Sequence, residues 1–370
     1  MKKTISCLVL FVFLIILITS SGMQKQLSTN KYQKTSNNYK KVNIATLEHA
    51  ISRVAEKIDL NIKSKKVKDN YARVINTKAN SKEPLDIKTY DGHDQPMHPD
   101  IVYIDNGFNG YKYWMAYTPY PNMNDDFENP CIGASNDGIN WDTPKSIRNP
   151  IVLPPDDMEE GGHFSDTDIV YDNGNLYVYF VYNKMGVLGP SRFYRVASKD
   201  GINWSKAELV YKCTAPNPIS GYSPGVIKGK AGYKMWYTSE GNTLSMISSK
   251  DGKEWSGYKK CNININGWTV WHVNVIETDL GYEGLMCATD KKIKNRALFY
   301  IKSSDGINWE SSSEPIIYPT KSGWDSSEIY RSTFLKQNGV YRVWYSAKDP
   351  ERRWHIGYSE GETPETLNGL

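Results

Sequence analysis

The chain has 370 residues, with 45 Lys+Arg against 41 Asp+Glu, 12% aromatic residues, 28 Gly and 18 Pro. Aromatic and turn-forming content at this level, without long apolar stripes of helical period, favours an all-β repeat architecture over a helical one. The charge is divided: residues 1–83 hold 16 Lys+Arg against 5 Asp+Glu and the following 287 hold 29 against 36, so the basic charge is a tail and not a groove, which argues against nucleic acid as a partner.

In chain order, Lys2-Lys3 and the apolar run from Ile5 to Ile18 have the form of a secretory signal, with small residues at Ser20-Ser21-Gly22 for cleavage. At roughly 15 residues the run is short for a membrane span. Residues 1–22 are therefore expected to be a signal peptide or membrane anchor, placing the protein outside the cell or on the outer face of the cytoplasmic membrane. Residues 23–84 form a basic segment, first a Lys-, Asn-, Ser- and Gln-rich linker, then a short amphipathic helix in which Leu47, Ile51, Val54 and Ile58 share one face. A basic tail after an export signal suits an anionic membrane surface or cell-wall polymer.

From residue 85 to 365 the sequence repeats. The phrase Ser-x-Asp-Gly-x-x-Trp stands at 135–141, 198–204, 249–255 and 303–309, with a worn fifth copy at 358–361. Its tryptophans are about 50 to 65 residues apart, a period near that of four-stranded propeller blades. Asp accepts amides across a turn and Gly supplies positive φ, so the phrase marks the hairpin after the third strand of each blade. Second strands are expected at 111–117, 176–182, 233–237, 282–288 and 341–345, where aromatic and polar residues alternate. First strands begin at Asp100, Asp168, Gly225, Asn274 and Thr333. Five such units predict a five-bladed β-propeller, monomeric, over 85–365.

Cys131, Cys213, Cys261 and Cys287 follow no zinc spacing, and a domain of this size needs no disulfide staples. Chemistry is expected at the channel mouth where the innermost strands start. The residues there are His98-Pro99-Asp100, Asp166-Thr167-Asp168, Ser223-Pro224-Gly225, His272-Val273-Asn274 and Arg331-Ser332-Thr333. Polar groups crowded at one mouth perturb one another's proton affinities. With a spacing of two, Asp166 and Asp168 are expected to face the same way along a strand.

Five blades, the Ser-x-Asp-Gly-x-x-Trp hairpins and the Asp of His98-Pro99-Asp100 resemble the five-bladed propeller glycoside hydrolases, the broad group that includes families 43, 32 and 117. The resemblance implies Asp100 as general base or nucleophile and Asp168 as the residue that tunes it. A Glu is the usual proton donor, but the matching positions hold Gly225 and Asn274. His272 takes that role by similarity to family 117, with Glu240 and Glu328 as carboxylate alternatives. His98, Asp166, Trp271, Asn274, Glu328, Tyr330 and Arg331 are expected to bind substrate: Arg331 suits a carboxylate or sulfate on a sugar, and Trp268, Trp271, Tyr222 and Tyr330 suit pyranose faces. No metal ligands and no required cofactor are assigned, a calcium ion in the channel being left open.

The reading is then an exported, glycan-active protein, a glycoside hydrolase acting on an oligo- or polysaccharide with inversion. A non-catalytic glycan-binding or assembly propeller and a phosphorylase using His98 and Arg331 are the alternatives. The missing Glu supports the first of these. Scarce extracellular phosphate weighs against the second.

Overall fold

The computed structural model describes residues 78–154, 162–184 and 190–370. The expected signal, linker and amphipathic helix lie outside them. Five antiparallel sheets follow one another, with inner strands Pro96–Phe108, Gly162–Asp172, Gly221–Gly229, Trp268–Thr278 and Glu328–Gln337. Each pairs with a second strand (Tyr111–Pro119, Asn175–Lys184, Gly232–Ser239, Gly281–Asp290, Val340–Lys348), which pairs with a third. This is a five-bladed β-propeller. The blades are not uniform: the first has three strands plus the single bridge Ala134 to Asp142, and the fourth gains a parallel edge strand, Asn262–Ile263, from the chain leaving blade three. Blade five takes its outer strand, Asn368–Gly369, from the C-terminal end. Residues 78–85 lie against that blade, with the amide of Gly369 donating to the Lys78 carbonyl, and with Ala79 fully buried. The packing of the domain thus begins before residue 85.

The repeated phrase closes as expected. In each copy the Ser hydroxyl donates to the Asp Oδ1 at 3.0 Å and accepts the Gly amide at 2.8 or 2.9 Å. The same Oδ1 accepts the next two amides. In Asp251 the amides of Glu254 and Lys253 lower the carboxyl from 3.8 to about 2. A lowered carboxyl stabilises the fold above its ordinary value and loses that contribution as pH falls through the folded one. Melting temperature of the native protein should therefore fall between about pH 4 and pH 2. Asp251→Asn should melt lower at neutral pH and lose less over that interval.

The phrase also does something its sequence does not announce. Its Gly carbonyl accepts from the indole of its own Trp in blades one, three and four, and from an aromatic of the preceding blade as well: Trp344 Nε1 to Gly138 at 2.6 Å, Tyr179 Oη to Gly252 at 3.0 Å, Trp236 Nε1 to Gly306 at 2.8 Å. The turn therefore locks neighbouring blades together. Gly201 has φ +72°, and a Cβ there would stand 2.3 Å from the Trp114 ring of blade one. Gly201→Ala should cost about 1–3 kcal/mol, read as a melting temperature lower by roughly 2–4 °C per kcal/mol.

The four cysteines of the domain are buried and free. Trp268, considered for sugar stacking, is buried with its ring edge-on to Phe299 at 4.9 Å, in the core of blade four. Among the described residues no helix is long and apolar enough to cross a membrane.

Candidate functional site

The inner strands start earlier than the sequence suggests, and all five carry a bulge near the channel mouth. The pairing register breaks between Met97 and Asp100, Ser165 and Asp168, Tyr222 and Gly225, Val270 and His272, and Ile329 and Ser332. A bulge inserts an unpaired residue and re-aims its side chain. His98, Asp166 and Ser223 sit in these bulges at φ +54°, +55° and +58°, a region sparsely used by residues with a Cβ. The alternation of side chains fails there, so Asp166 and Asp168 serve two different clusters.

The deeper cluster holds the blades together. Asp100 accepts the Ile169 amide at 2.7 Å on one oxygen, and Asn274 Nδ2 and Thr333 Oγ1, each at 2.8 Å, on the other. Asp168 accepts the Val226 amide at 2.9 Å and the Arg331 guanidinium at 3.2 Å. Asn274 Oδ1 accepts the Phe334 amide. Each of these side chains ties its strand to that of the following blade. Burial pushes both Asp carboxyls up, and in Asp168 the Asp100 charge adds to it. Arg331, expected to meet an acidic group on a sugar, is 1% exposed and donates also to the Pro224 carbonyl at 2.6 Å. Two buried carboxylates need a cation beside them, and it is committed to that. A 500 Å³ cavity reaches Asp100, Asn274 and Thr333 and runs between the inner strands past Tyr103 and Lys228.

The shallower cluster has a different character. His98 Nε2 stands 3.2 Å from Asp166 Oδ1, and His272 Nδ1 stands 3.6 Å from the same oxygen. All three residues are buried, with ligand atoms within 4.8 Å of one another. His98 Nε2, Asp166 Oδ1 and both ring nitrogens of His272 have no hydrogen-bond partner. Buried polar atoms are seldom left so, because each costs about 1–3 kcal/mol. A divalent cation between them would take one nitrogen of each ring and the free Asp166 oxygen, and would leave the second His272 nitrogen without a partner. Two imidazoles and a carboxylate suit zinc or another first-row transition ion better than the calcium left open from the sequence, since calcium takes six to eight oxygens. The sequence reading named all three residues but assigned no metal ligands. Their partnership depends on the bulges and on the closure of blades one, two and four.

Glu128 and His163 were not found from the sequence. Glu128 lies on the loop after the second strand of blade one, and His163 stands three residues before Asp166. Glu128 Oε1 is 3.1 Å from His98 Nδ1 and its Oε2 is 3.4 Å from His163 Nε2. Although burial opposes it, the two imidazoles hold Glu128 below the ordinary carboxylate value, and Glu128 in turn raises His163. His98 Nδ1 faces both the Glu128 carboxylate and the Thr118 hydroxyl, the latter at 3.0 Å; a proton held there for Glu128 would leave the Nε2 lone pair towards Asp166 and His272. Burial, with His98 and the nearby arginines, keeps His272 well below the imidazole range. Burial thus favours the neutral ring, which has one nitrogen lone pair available to a ligand.

Around the cluster stand aromatic rings. Tyr330 lies 4.4 Å from the His272 ring and 5.5 Å from that of His98, and Trp271 donates to the Tyr330 hydroxyl at 3.0 Å. Tyr222 packs beside Trp271 at 5.0 Å. Glu328 is bound by Arg296 and by Lys348 Nζ, the latter at 2.6 Å, and Glu240 is exposed on the blade-three hairpin.

No protein-family model matches the chain. It is 27% identical to the A type blood N-acetyl-α-D-galactosamine deacetylase of Flavonifractor plautii, in an alignment covering 75% of this chain and 46% of that protein; the chain thus spans about half the length of this curated relative. A crystal structure of an N-acetylgalactosamine deacetylase from F. plautii, in complex with blood group B trisaccharide, superposes with a TM-score of 0.68 at 25% identity, covering 76% of this chain and 95% of that one. The GH43 BlXynB protein from Bacillus licheniformis superposes at 0.53 with 16% identity over 74% and 54% of the two chains, a likeness of fold alone. The chain has the five-bladed propeller of the glycoside hydrolases, and its relatives are glycan-active propeller enzymes.

Proposed function

We propose that this protein is an exported, metal-dependent hydrolase that removes acetyl groups from N-acetylated hexosamines of a glycan, leaving glycosidic bonds intact. One observation carries the reading: the unpartnered donor atoms of His98, Asp166 and His272 converge at the buried channel mouth. The deacetylase relative supports the choice of bond, and the apolar run after Lys2-Lys3 supports export.

A divalent ion at this place supplies Lewis acidity, polarising a carbonyl and making water a nucleophile near neutral pH. His98, Asp166 and His272 would hold it. Glu128, 3.1 Å from His98 Nδ1, would favour the tautomer that ligates through Nε2. In acetamide hydrolysis the water oxygen bonds to the carbonyl carbon, the C–N bond breaks, and the nitrogen leaves with a proton. His163, 3.4 Å from Glu128 through Nε2 and with no hydrogen bond at Nδ1, would carry protons between water and that nitrogen.

Glycosidic cleavage with Asp100 as base is the second reading. Its support is the Asp100 and Asp168 pair, whose proton affinities burial raises towards a useful range. The two separate cleanly. The full chain, loaded with zinc, manganese or cobalt after chelation, is incubated with N-acetylated glycans, and acetate and new reducing ends are both measured. Acetate without reducing ends supports the first reading; reducing ends that survive chelation overturn it. Glu128→Gln should weaken metal binding by about 10- to 100-fold, measured by competition with a chromogenic chelator.

A further inference from the structure

Beside the channel mouth, the hairpin of blade four is strongly basic. Residues 290–296 carry Lys291, Lys292, Lys294 and Arg296 against one acid, Asp290, which is buried and accepts the amides of its own turn. Residues 348–354 add Lys348, Arg352 and Arg353 against Asp349 and Glu351, both of which pair with Arg353. This stands on a chain segment that is otherwise acidic, 29 Lys+Arg against 36 Asp+Glu from residue 84 onwards. Lys291, Lys292, Lys294 and Arg352 are exposed and make no ion pair among the described residues. The loop of blade one across the mouth is of opposite sign, with Asp125, Asp126 and Glu128.

Arg296 is held in place. Its guanidinium lies 4.9 Å from the Trp271 ring and 5.0 Å from the Tyr330 ring, and its Nε donates to Thr289 at 3.2 Å. Tyr330 is the ring that touches His272, so a single aromatic side chain separates the cation from the metal-binding cluster. Glu328 neutralises only part of the charge, since it is shared between Arg296 and Lys348. On the far side of Trp271 a 330 Å³ cavity lined by Asn242, Asn264, Lys260 and Lys291 continues along the same end of the blades. Planar guanidinium and clustered ammonium groups recognise carboxylate and sulfate.

We infer that the substrate is an acidic glycan: the sugar next to the one that reacts carries a carboxylate or sulfate, which Arg296 and the Lys291, Lys292 and Lys294 hairpin bind. The inference rests on the proposed function for the face that takes the glycan and for the bond cut, and its test reads binding apart from turnover. Three probes are used: an oligosaccharide of alternating N-acetylhexosamine and hexuronate, the same chain with its carboxyls reduced to alcohols, and the reduced chain O-sulfated. Calorimetry on the native protein, and on Asp166→Ala to remove turnover, should show the carboxylate or the sulfated chain bound at least about ten-fold more tightly than the neutral one, a preference that weakens with salt. Whichever anion binds better names the group. Arg296→Gln and the triple exchange of Lys291, Lys292 and Lys294 to Gln should each remove most of the preference while leaving the neutral chain bound as before. Equal affinity for all three chains overturns the inference, as does a preference that both variants retain. Acid-selective binding without acetate release would remove the enzymatic reading and leave this one. Acetate release with equal affinity for neutral and acidic chains would do the reverse.

Discussion

On the proposed deacetylase reading, Asp166→Ala should lose acetate-releasing activity by about 10³-fold or more, because it removes the carboxylate between His98 and His272 and with it a proposed ligand of the ion. The expected signature is a loss of bound metal together with kcat, partly restored by excess zinc or manganese, in a protein that still melts cooperatively. Asp166 also accepts the Ser223 amide at 2.9 Å through its other oxygen, so a modest loss of stability accompanies the change. His272→Ala should behave alike; it breaks no hydrogen bond, since neither ring nitrogen has a protein partner, but it empties the buried space beside Tyr330 and so also lowers stability. If both variants kept full metal content and turnover, the convergence of these three residues would be structural, and attention would return to Asp100.

Arg331→Met should destabilise the domain by about 3–5 kcal/mol, the usual consequence of leaving buried charge without its partner. The guanidinium is the cation beside Asp168, and it lowers the proton affinity of Asp100 as well. Without it both carboxyls are raised further in the folded state. A folded protein that holds protons the unfolded chain has released becomes less stable as pH rises. The deficit should therefore shrink on acidification and grow towards neutral pH, which urea unfolding across that range would show. Adding Asp168→Asn should recover part of the loss, because the unpaired charge is then gone. A loss unchanged by pH and by the second substitution would mean that the side chain matters for its packing alone.

Much of the architecture was legible because it is local. The Ser, Asp, Gly and Trp of each phrase act within seven residues, and turn chemistry of that kind is written directly in sequence. The alternating second strands and the apolar inner strands set the number of blades. The polar residues at the inner strands were legible too, and His98, Asp100, Asp166, Asp168, His272, Asn274, Tyr330 and Arg331 all meet at the channel.

Which of them belong together was decided only by closure. Asp100 and Asp168 look like the reactive pair in sequence, and the ring of five strands also makes them, with Asn274 and Arg331, ties between blades. His98 and His272 are 174 positions apart and become neighbours because blades one and four face each other across the channel, with a bulge in each inner strand to turn the rings towards Asp166. Glu128 and His163 carry no periodic signal, one on a loop and the other at a strand end. Nor does any motif show that the turn of one blade receives the indole of the blade before it, or that Arg296 settles between Trp271 and Tyr330. A period of two or of about fifty residues specifies strands and blades, since those depend on neighbours in the chain. The chemistry depends on side chains meeting across the axis, and that distance is fixed by the packing of all five blades at once.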